Sequence, residues 1–128
     1  MTALVFALQP EQVCIAMDTL VIGADDRMPM SFQRKFLSVP ESELVVAGTG
    51  HAGFINGWFR YLQSNLHGAT IDELNEEVPS IFRASLRAEG GLSGLTATIY
   101  HFGYSAREQR YAGYAYRSEH GFRSDRLK

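Results

Sequence analysis

The sequence predicts an α+β fold with the element order ββββααβββ, and three observations support this prediction. Two pairs of short apolar runs precede residue 48, two stretches with helical spacing follow, and strand-like segments return near the C-terminus. Blocks of strands on either side of a helical pair favour helices packed against a mostly antiparallel sheet. The 128 residues, 45% of them hydrophobic, are expected to form one domain spanning 1–128.

Composition argues against several classes of function. The net charge of −2 gives no strong field for nucleic acid or an anionic membrane, so neither is expected as a partner. The single cysteine, Cys14, forms no internal disulfide, which fits a reducing compartment. Without a secretory signal or a membrane-length apolar run, the protein is expected to be cytoplasmic. The histidines show no ligand spacing, so neither a metal nor another cofactor is expected.

The first predicted element is an N-terminal β-hairpin. Apolar runs at Ala3–Leu8 and Val13–Met17 flank a four-residue break that contains Pro10, a residue suited to turns. Both runs are nearly continuous in apolar residues, which predicts that both faces are buried and that Cys14 is a small core residue.

A second hairpin follows a loop. Leu20–Gly23 extends the preceding strand, and Ala24–Ser31 mixes charge, methionine and proline and is predicted to be a loop. Lys35–Val39 and Leu44–Ala47 then form strands on either side of a Pro-Glu-Ser-Glu turn.

Two amphipathic helices occupy the middle of the chain. Apolar residues recur at helical spacing in Ala52–Leu66, and Gly68 ends that helix. Thr70 and Glu73 form a capping-box pattern for the second helix. Pro79 lies inside the second pattern and predicts a kink or two shorter helices.

The remaining segments are predicted to be strands. Leu95–Phe102 is rich in threonine, isoleucine and aromatic residues, and Arg110–Arg117 carries aromatic residues on both faces. Gly103–Gln109 is expected to be the turn between them, and another strand is expected to begin at Phe122.

Residues Gly48–Gly53 match the spacing G-x-G-x-x-G between a strand and a helix. In a dinucleotide-binding fold this pattern lies in a βαβ unit, with an acidic residue about 20 positions further on. Here a second helix follows the first and two hairpins precede the motif, so the dinucleotide interpretation is rejected. Exposed backbone N–H groups at such a junction still suit a developing negative charge.

Three segments of the chain, taken with a threonine behind the initiator methionine, resemble the proteasome β-subunit family of N-terminal-nucleophile hydrolases. The segments are Ile15–Asp18 (apolar-Ala-x-Asp), Arg34–Phe36 (basic-Lys-apolar) and Val46–Gly50 (apolar-Ala-Gly-x-Gly). The resemblance covers residues 2–66 in motifs and spacing, and 67–117 only in the order of elements. It implies a layered αββα sandwich, present here in a short or truncated version.

The resemblance also implies a set of catalytic roles. Thr2, exposed by removal of Met1, would be the nucleophile, and its free α-amine would be the general base. Lys35, held by Asp18, would supply a positive charge, and the Gly48 N–H would stabilise the oxyanion. The expected substrate-binding residues are Val21, Val46, Thr49 and Gly50.

The leading functional prediction is therefore a threonine-type amide or peptide hydrolase, expected to act as a homo-oligomer that could form a ring. The sequence leaves open whether an ATPase partner exists. A first alternative is a non-catalytic, proteasome-like structural or assembly subunit that retains Met1. A second alternative is a small-molecule binding module that uses the loop Gly48–Gly53. In a short version of the sandwich, an uncovered sheet face would need a partner.

Overall fold

The N-terminal hairpin is present as predicted. The structure is a computed structural model, and it describes residues 3–18, 20–22, 28–32, 35–66, 68–88 and 96–128. Strands β1 (Leu4–Leu8) and β2 (Val13–Met17) pair antiparallel, with Leu4 opposite Met17. Reciprocal backbone hydrogen bonds between Gln9 and Gln12 close the turn. The register places the two ends far from the turn, residues 3 and 18, side by side.

The hairpin is buried on one face only, which corrects the prediction for both of its strands. Half-buried and exposed residues alternate along β1 and β2, and Cys14 is exposed rather than part of the core. On the outward face, Val5 is 70% exposed. The near-continuous apolar pattern misled because alanine, valine and cysteine occupy outward positions, so composition alone did not reveal the alternation.

Residues 20–22 and 29–32 form a second small sheet, where an extension of the preceding strand and the end of a loop were predicted. Strand β3 (Leu20–Ile22) pairs antiparallel with β4 (Pro29–Phe32), with a register shift between Val21 and Ile22. The prediction that 24–31 is a loop is therefore wrong at its C-terminal end. Backbone pairing with β3 overrides the turn-like composition there.

A five-stranded antiparallel sheet forms the centre of the described chain, and its strands lie in chain order. Its strands are β5 (Phe36–Val39), β6 (Leu44–Gly50), β7 (Ala97–Ser105), β8 (Arg110–Arg117) and β9 (Ser124–Arg126). Short 3-10 turns at Pro40–Ser42 and Ser118–His120 follow β5 and β8.

Three strand boundaries differ from the predictions. Strand β6 continues through Gly48–Gly50, where a break was expected, because these residues pair with Ala97–Ile99 of β7. Strand β7 extends to Ser105, beyond the predicted start of the turn. The last strand begins at Ser124 rather than at Phe122, which is buried and has a φ of 58°.

Both predicted helices are present. Helix α1 (Ala52–Asn65) begins after His51, whose Nδ1 accepts a hydrogen bond from the Phe54 N–H at 3.0 Å. Helix α2 (Ile71–Ala88) begins after Thr70, whose hydroxyl accepts from the Glu73 N–H at 3.2 Å, which confirms the Thr70 half of the predicted capping box.

Helix α2 is continuous, so the alternative of two shorter helices is wrong. Pro79 lies inside it, flanked by Val78 and Phe82 at 0% and 2% exposure. Because buried residues before and after the proline belong to one core, packing keeps both halves in one helix despite the missing N–H.

The described elements form layers. The helices pack on one face of the central sheet, over a core that includes Val46, Ile99 and Tyr116. The N-terminal hairpin lies on the opposite face, where the Phe6 and Phe102 rings are 5.1 Å apart. The predicted α+β class is confirmed. In a dinucleotide-binding βαβ unit the strands are parallel and a strand follows the helix. Here β6 pairs antiparallel with both neighbours, and α2 follows α1 directly.

Candidate functional site

The open end of the N-terminal hairpin fixes Asp18. The Asp18 N–H donates to the Ala3 carbonyl at 3.2 Å, which continues the β1–β2 ladder by one step. In return, the Ala3 N–H donates to Asp18 Oδ1 at 2.9 Å. The side chain is thus attached to the backbone of the residue that directly follows Thr2 in the chain.

The second oxygen of the same carboxylate holds Lys35. Lys35 Nζ lies 3.1 Å from Asp18 Oδ2. The lysine side chain is 11% exposed, whereas the aspartate is 33% exposed. A lysine this well covered loses part of its hydration, and the contact with the Asp18 carboxylate offsets part of that loss. The structure therefore brings together two of the predicted catalytic residues, Asp18 and Lys35.

Both contacts favour the ionised form of Asp18. The Ala3 N–H, followed by the Lys35 ammonium, lowers the pKa of the Asp18 carboxyl below its ordinary value of 3.8. The carboxylate is consequently charged at neutral pH and suits the positioning of a cation.

Gly48 lies in β6 on the strand next to Lys35. Phe36 pairs with Ala47, so Lys35, one residue before β5, lies opposite Gly48 when the register is extended by one step. A side chain at position 48 would meet the Ile55 side chain at 2.7 Å. The close approach of helix α1 to β6 therefore demands glycine here, whatever the role of its N–H.

The predicted substrate-binding residues have different surroundings. Val46 is fully buried in the core on the helix side, and its backbone pairs with Leu37 of β5 and His101 of β7. Thr49 is half-buried and Gly50 is exposed at the end of β6, where Gly50 has a φ of 98° that favours glycine. Val21 pairs with Ser31 in the second small sheet.

Thr2, the predicted nucleophile, lies outside the described residues. The described part of the candidate site therefore consists of Asp18, Lys35 and the neighbouring backbone of Ala3 and Gly48. Its role stays a prediction.

Sequence reasoning missed two polar features of the fold. One is the Ala3 N–H, which carries no side-chain signal and is revealed only by the hairpin register. The other is His101, fully buried, whose Nε2 accepts from the Trp58 indole N–H at 3.0 Å. The register could have revealed His101, because it alternates in β7 with Ile99 and Gly103 on the core face.

Metal-ligating side chains do not cluster in the described ranges. No group of three histidine, cysteine, aspartate or glutamate residues there is arranged to hold a metal ion. Among the helices the structure describes, none is both long and apolar enough to cross a membrane.

The comparisons with known proteins do not assign the chain to a family. No known family matches the sequence, and a search of curated proteins finds no match.

Proposed function

We propose that the protein is a threonine-type N-terminal-nucleophile amide or peptide hydrolase, activated by removal of Met1. The observation that carries this proposal is the double use of the Asp18 carboxylate, which accepts from the Ala3 N–H and from Lys35. Through these contacts the Lys35 ammonium group is held near Ala3, the residue that follows Thr2 in the sequence.

The chemistry requires a nucleophile, a base and a fixed positive charge. The Thr2 hydroxyl oxygen attacks the carbonyl carbon of the scissile amide, and its proton passes to the free Thr2 α-amine. The protonated amine then gives that proton to the departing nitrogen as the C–N bond breaks. Water hydrolyses the resulting ester and restores the hydroxyl.

In this mechanism Lys35 acts electrostatically, whereas Asp18 is a positioning residue. A nearby ammonium favours the neutral form of the α-amine and stabilises the developing oxyanion. The Gly48 N–H is the proposed further donor to that oxyanion, and Val21, Thr49 and Gly50 are the proposed substrate contacts; Val46, which is fully buried, is not among them. The register that places Lys35 opposite Gly48 supports this arrangement.

The layer order supports the N-terminal-nucleophile sandwich as the finer description of the fold. Helices cover one face of the central sheet, and the hairpin that begins next to Thr2 covers the other. The outward face of that hairpin presents Val5, Ala7, Cys14 and Ala16 as exposed apolar residues. Such a face supports the proposal of a homo-oligomer.

The first experiment establishes whether the nucleophile can exist. The intact mass of protein isolated from its native host is expected to show complete loss of Met1. Hydrolysis is then measured on a panel of fluorogenic peptide amides. Full retention of Met1 overturns the hydrolase proposal and favours the non-catalytic subunit.

Three variants test the roles in the processed protein. Thr2→Ala is expected to abolish turnover, whereas Thr2→Ser, which keeps a hydroxyl, retains measurable activity. Asp18→Asn keeps the shape but removes the charge that holds Lys35, and activity is expected to fall by about 100-fold or more. Equal activity of Thr2→Ala and the unaltered protein would place the chemistry elsewhere.

A further inference from the structure

A cavity of about 340 Å³ lies between the turn of the N-terminal hairpin and the central sheet. Its floor is a row across the sheet, in which Ser38 pairs with Val45 and Val45 with Phe102. Its walls come from the hairpin, through Gln12 and Val13, and its rim includes Glu43 and Tyr111. The volume lies within the range of small-ligand sites.

This cavity is distinct from the candidate catalytic site. Lys35 precedes β5, whereas the cavity lies where β5 ends, so the two are separated by roughly 13 Å of strand. The hairpin shows the same separation, because Asp18 lies at its open end and Gln12 at its turn.

Backbone hydrogen bonds fix both walls of the cavity. The Tyr111 N–H donates to the Pro10 carbonyl at 3.0 Å and ties the hairpin turn to β8. The Tyr104 N–H donates to the Glu43 carbonyl at 3.2 Å and ties the turn after β5 to β7. Each wall is thus joined directly to the central sheet in the folded protein.

The lining combines apolar surface with one charged group. Val13, Pro40 and Val45 provide apolar contacts, while Ser38 and Gln12 provide acceptor oxygens. Among the described residues that line the cavity, Glu43 is the sole one with a charged side chain.

The turns that form the walls add further negative charge. Glu11 precedes Gln12 and Glu41 follows Pro40, and both are exposed; Arg110, next to Tyr111, is the adjacent basic residue. In the lining itself the charge is that of the Glu43 carboxylate, which disfavours an anionic ligand and favours a cationic one.

We propose that this cavity binds a small organic cation with an ammonium or guanidinium head and an aromatic or alkyl body. The head pairs with the Glu43 carboxylate and donates to the acceptor oxygens, and the body packs against the apolar walls. This inference does not rest on the proposed hydrolase function.

The test compares three probes of similar size by amide chemical shifts. Phenethylamine is expected to shift the amides of the lining residues, with a Kd on the order of 1 mM. Phenethyl alcohol, which lacks the charge, is expected to bind about tenfold more weakly. Phenylpropionate, with the opposite charge, is expected not to bind.

A pair of matched variants assigns the charge. Glu43→Gln is expected to weaken phenethylamine binding about tenfold. Glu119→Gln, which alters an exposed glutamate in the other 3-10 turn, is expected to leave binding unchanged. The amide spectrum of each variant verifies that it is folded.

Four outcomes would overturn the proposal. The first is that phenethylamine shifts no amide of the lining residues, and the second is that it binds no more tightly than phenethyl alcohol. The third is that Glu43→Gln binds phenethylamine as tightly as the unaltered protein. The fourth is that an extended lysine-containing peptide binds more tightly than phenethylamine. The last outcome would identify the cavity as a peptide-docking surface. Repeating the titration in Thr2→Ala separates this result from the fate of the hydrolase proposal, because binding is expected to be unchanged there.

Discussion

Asp18 accepts a hydrogen bond on each carboxylate oxygen, one from the Ala3 N–H and one from the Lys35 ammonium. Since both donors lower its pKa in the folded protein, its contribution to stability is present above its ordinary pKa of 3.8 and is lost as the pH falls through the lower folded value. The carboxylate thus remains charged throughout the pH range in which an α-amine can serve as a base.

His101 shows the opposite electrostatic situation. It is fully buried between strands and helices, with its ring stacked on Trp58 and packed edge-on against Tyr116. Burial lowers the pKa of His101 from 6.5 to about 3. Because Nε2 accepts from the Trp58 indole, Nδ1 carries the proton of the neutral ring, and Nδ1 has no hydrogen-bond partner among the residues that the structure describes.

The buried histidine predicts a loss of stability in mild acid. His101 stays neutral when folded but takes up a proton when unfolded below about pH 6.5, so its contribution is complete above that pH and is lost as the pH falls towards 3. Between pH 7 and pH 5, the free energy of unfolding is expected to fall by roughly 2 kcal/mol from this group. Urea unfolding at both pH values measures it.

The variant His101→Gln supplies the comparison for this prediction. Its amide can still accept from Trp58 but does not titrate, so its stability is expected to fall much less between the same two pH values. Identical pH dependence in both proteins would exclude His101 as the cause.

At the scale of elements, Asp72 joins the start of helix α2 to the turn between β7 and β8. One carboxylate oxygen accepts from the buried Ser105 hydroxyl at 2.8 Å, and the other accepts from the Arg107 N–H at 3.3 Å. The Ser105 hydroxyl in turn accepts from the Glu108 N–H. One side chain thus satisfies polar groups of the turn and fixes the helix against the sheet.

Removal of this link is expected to destabilise the protein. Asp72→Ala leaves the buried Ser105 hydroxyl without its acceptor and the Arg107 N–H unpaired, at a cost of about 2 kcal/mol in the free energy of unfolding. Glu77→Ala, which removes an exposed carboxylate one turn further along the same helix, is expected to change stability by no more than about 0.5 kcal/mol. Equal effects of the two substitutions in denaturant unfolding would contradict the proposed role of Asp72.

Elements with strong periodicity or capping signals could be predicted from the sequence. Helical spacing and the Thr70 cap located both helices, and the break at Pro10 located the first hairpin. The strand pairing of Gly48–Gly50 could not be predicted, because their neighbour β7 is some 50 positions away. The β3–β4 pairing was likewise hidden, since three- and four-residue strands carry almost no local pattern.

At the scale of the whole molecule, the hairpin layer is held less extensively than the helix layer. Its described attachments to the central sheet include the Phe6–Phe102 ring contact and the Pro10–Tyr111 hydrogen bond. The central strands instead share a continuous buried core with both helices. Stability is therefore expected to differ between the layers.

Amide hydrogen exchange measures this difference directly. Amides of β1 and β2 are expected to exchange through local opening, with lower protection than those of β7. Phe6→Ala is expected to increase exchange in the hairpin without altering β7, whereas Ser64→Ala, which alters an exposed residue of helix α1, leaves both unchanged. Uniform protection across the two layers would show instead that they open as one unit.

The candidate site could be predicted only in part from the sequence. The types and order of Asp18 and Lys35 are visible in the sequence, and the structure confirms that they form an ion pair. The backbone donor Ala3 could not be identified from residue types, because its contribution depends on register rather than on its side chain. The outward face of the hairpin was missed because its small apolar residues resemble core residues.

The contact between position 48 and Ile55 also affects how related sequences should be interpreted. Any residue larger than glycine there would clash with the Ile55 side chain of helix α1, so selection for folding alone is sufficient to favour glycine at this position. Active and inactive descendants of a common ancestor would therefore both retain it. Thr2, Asp18 and Lys35, the residues that the proposed mechanism uses, are therefore the more informative positions to compare between such sequences.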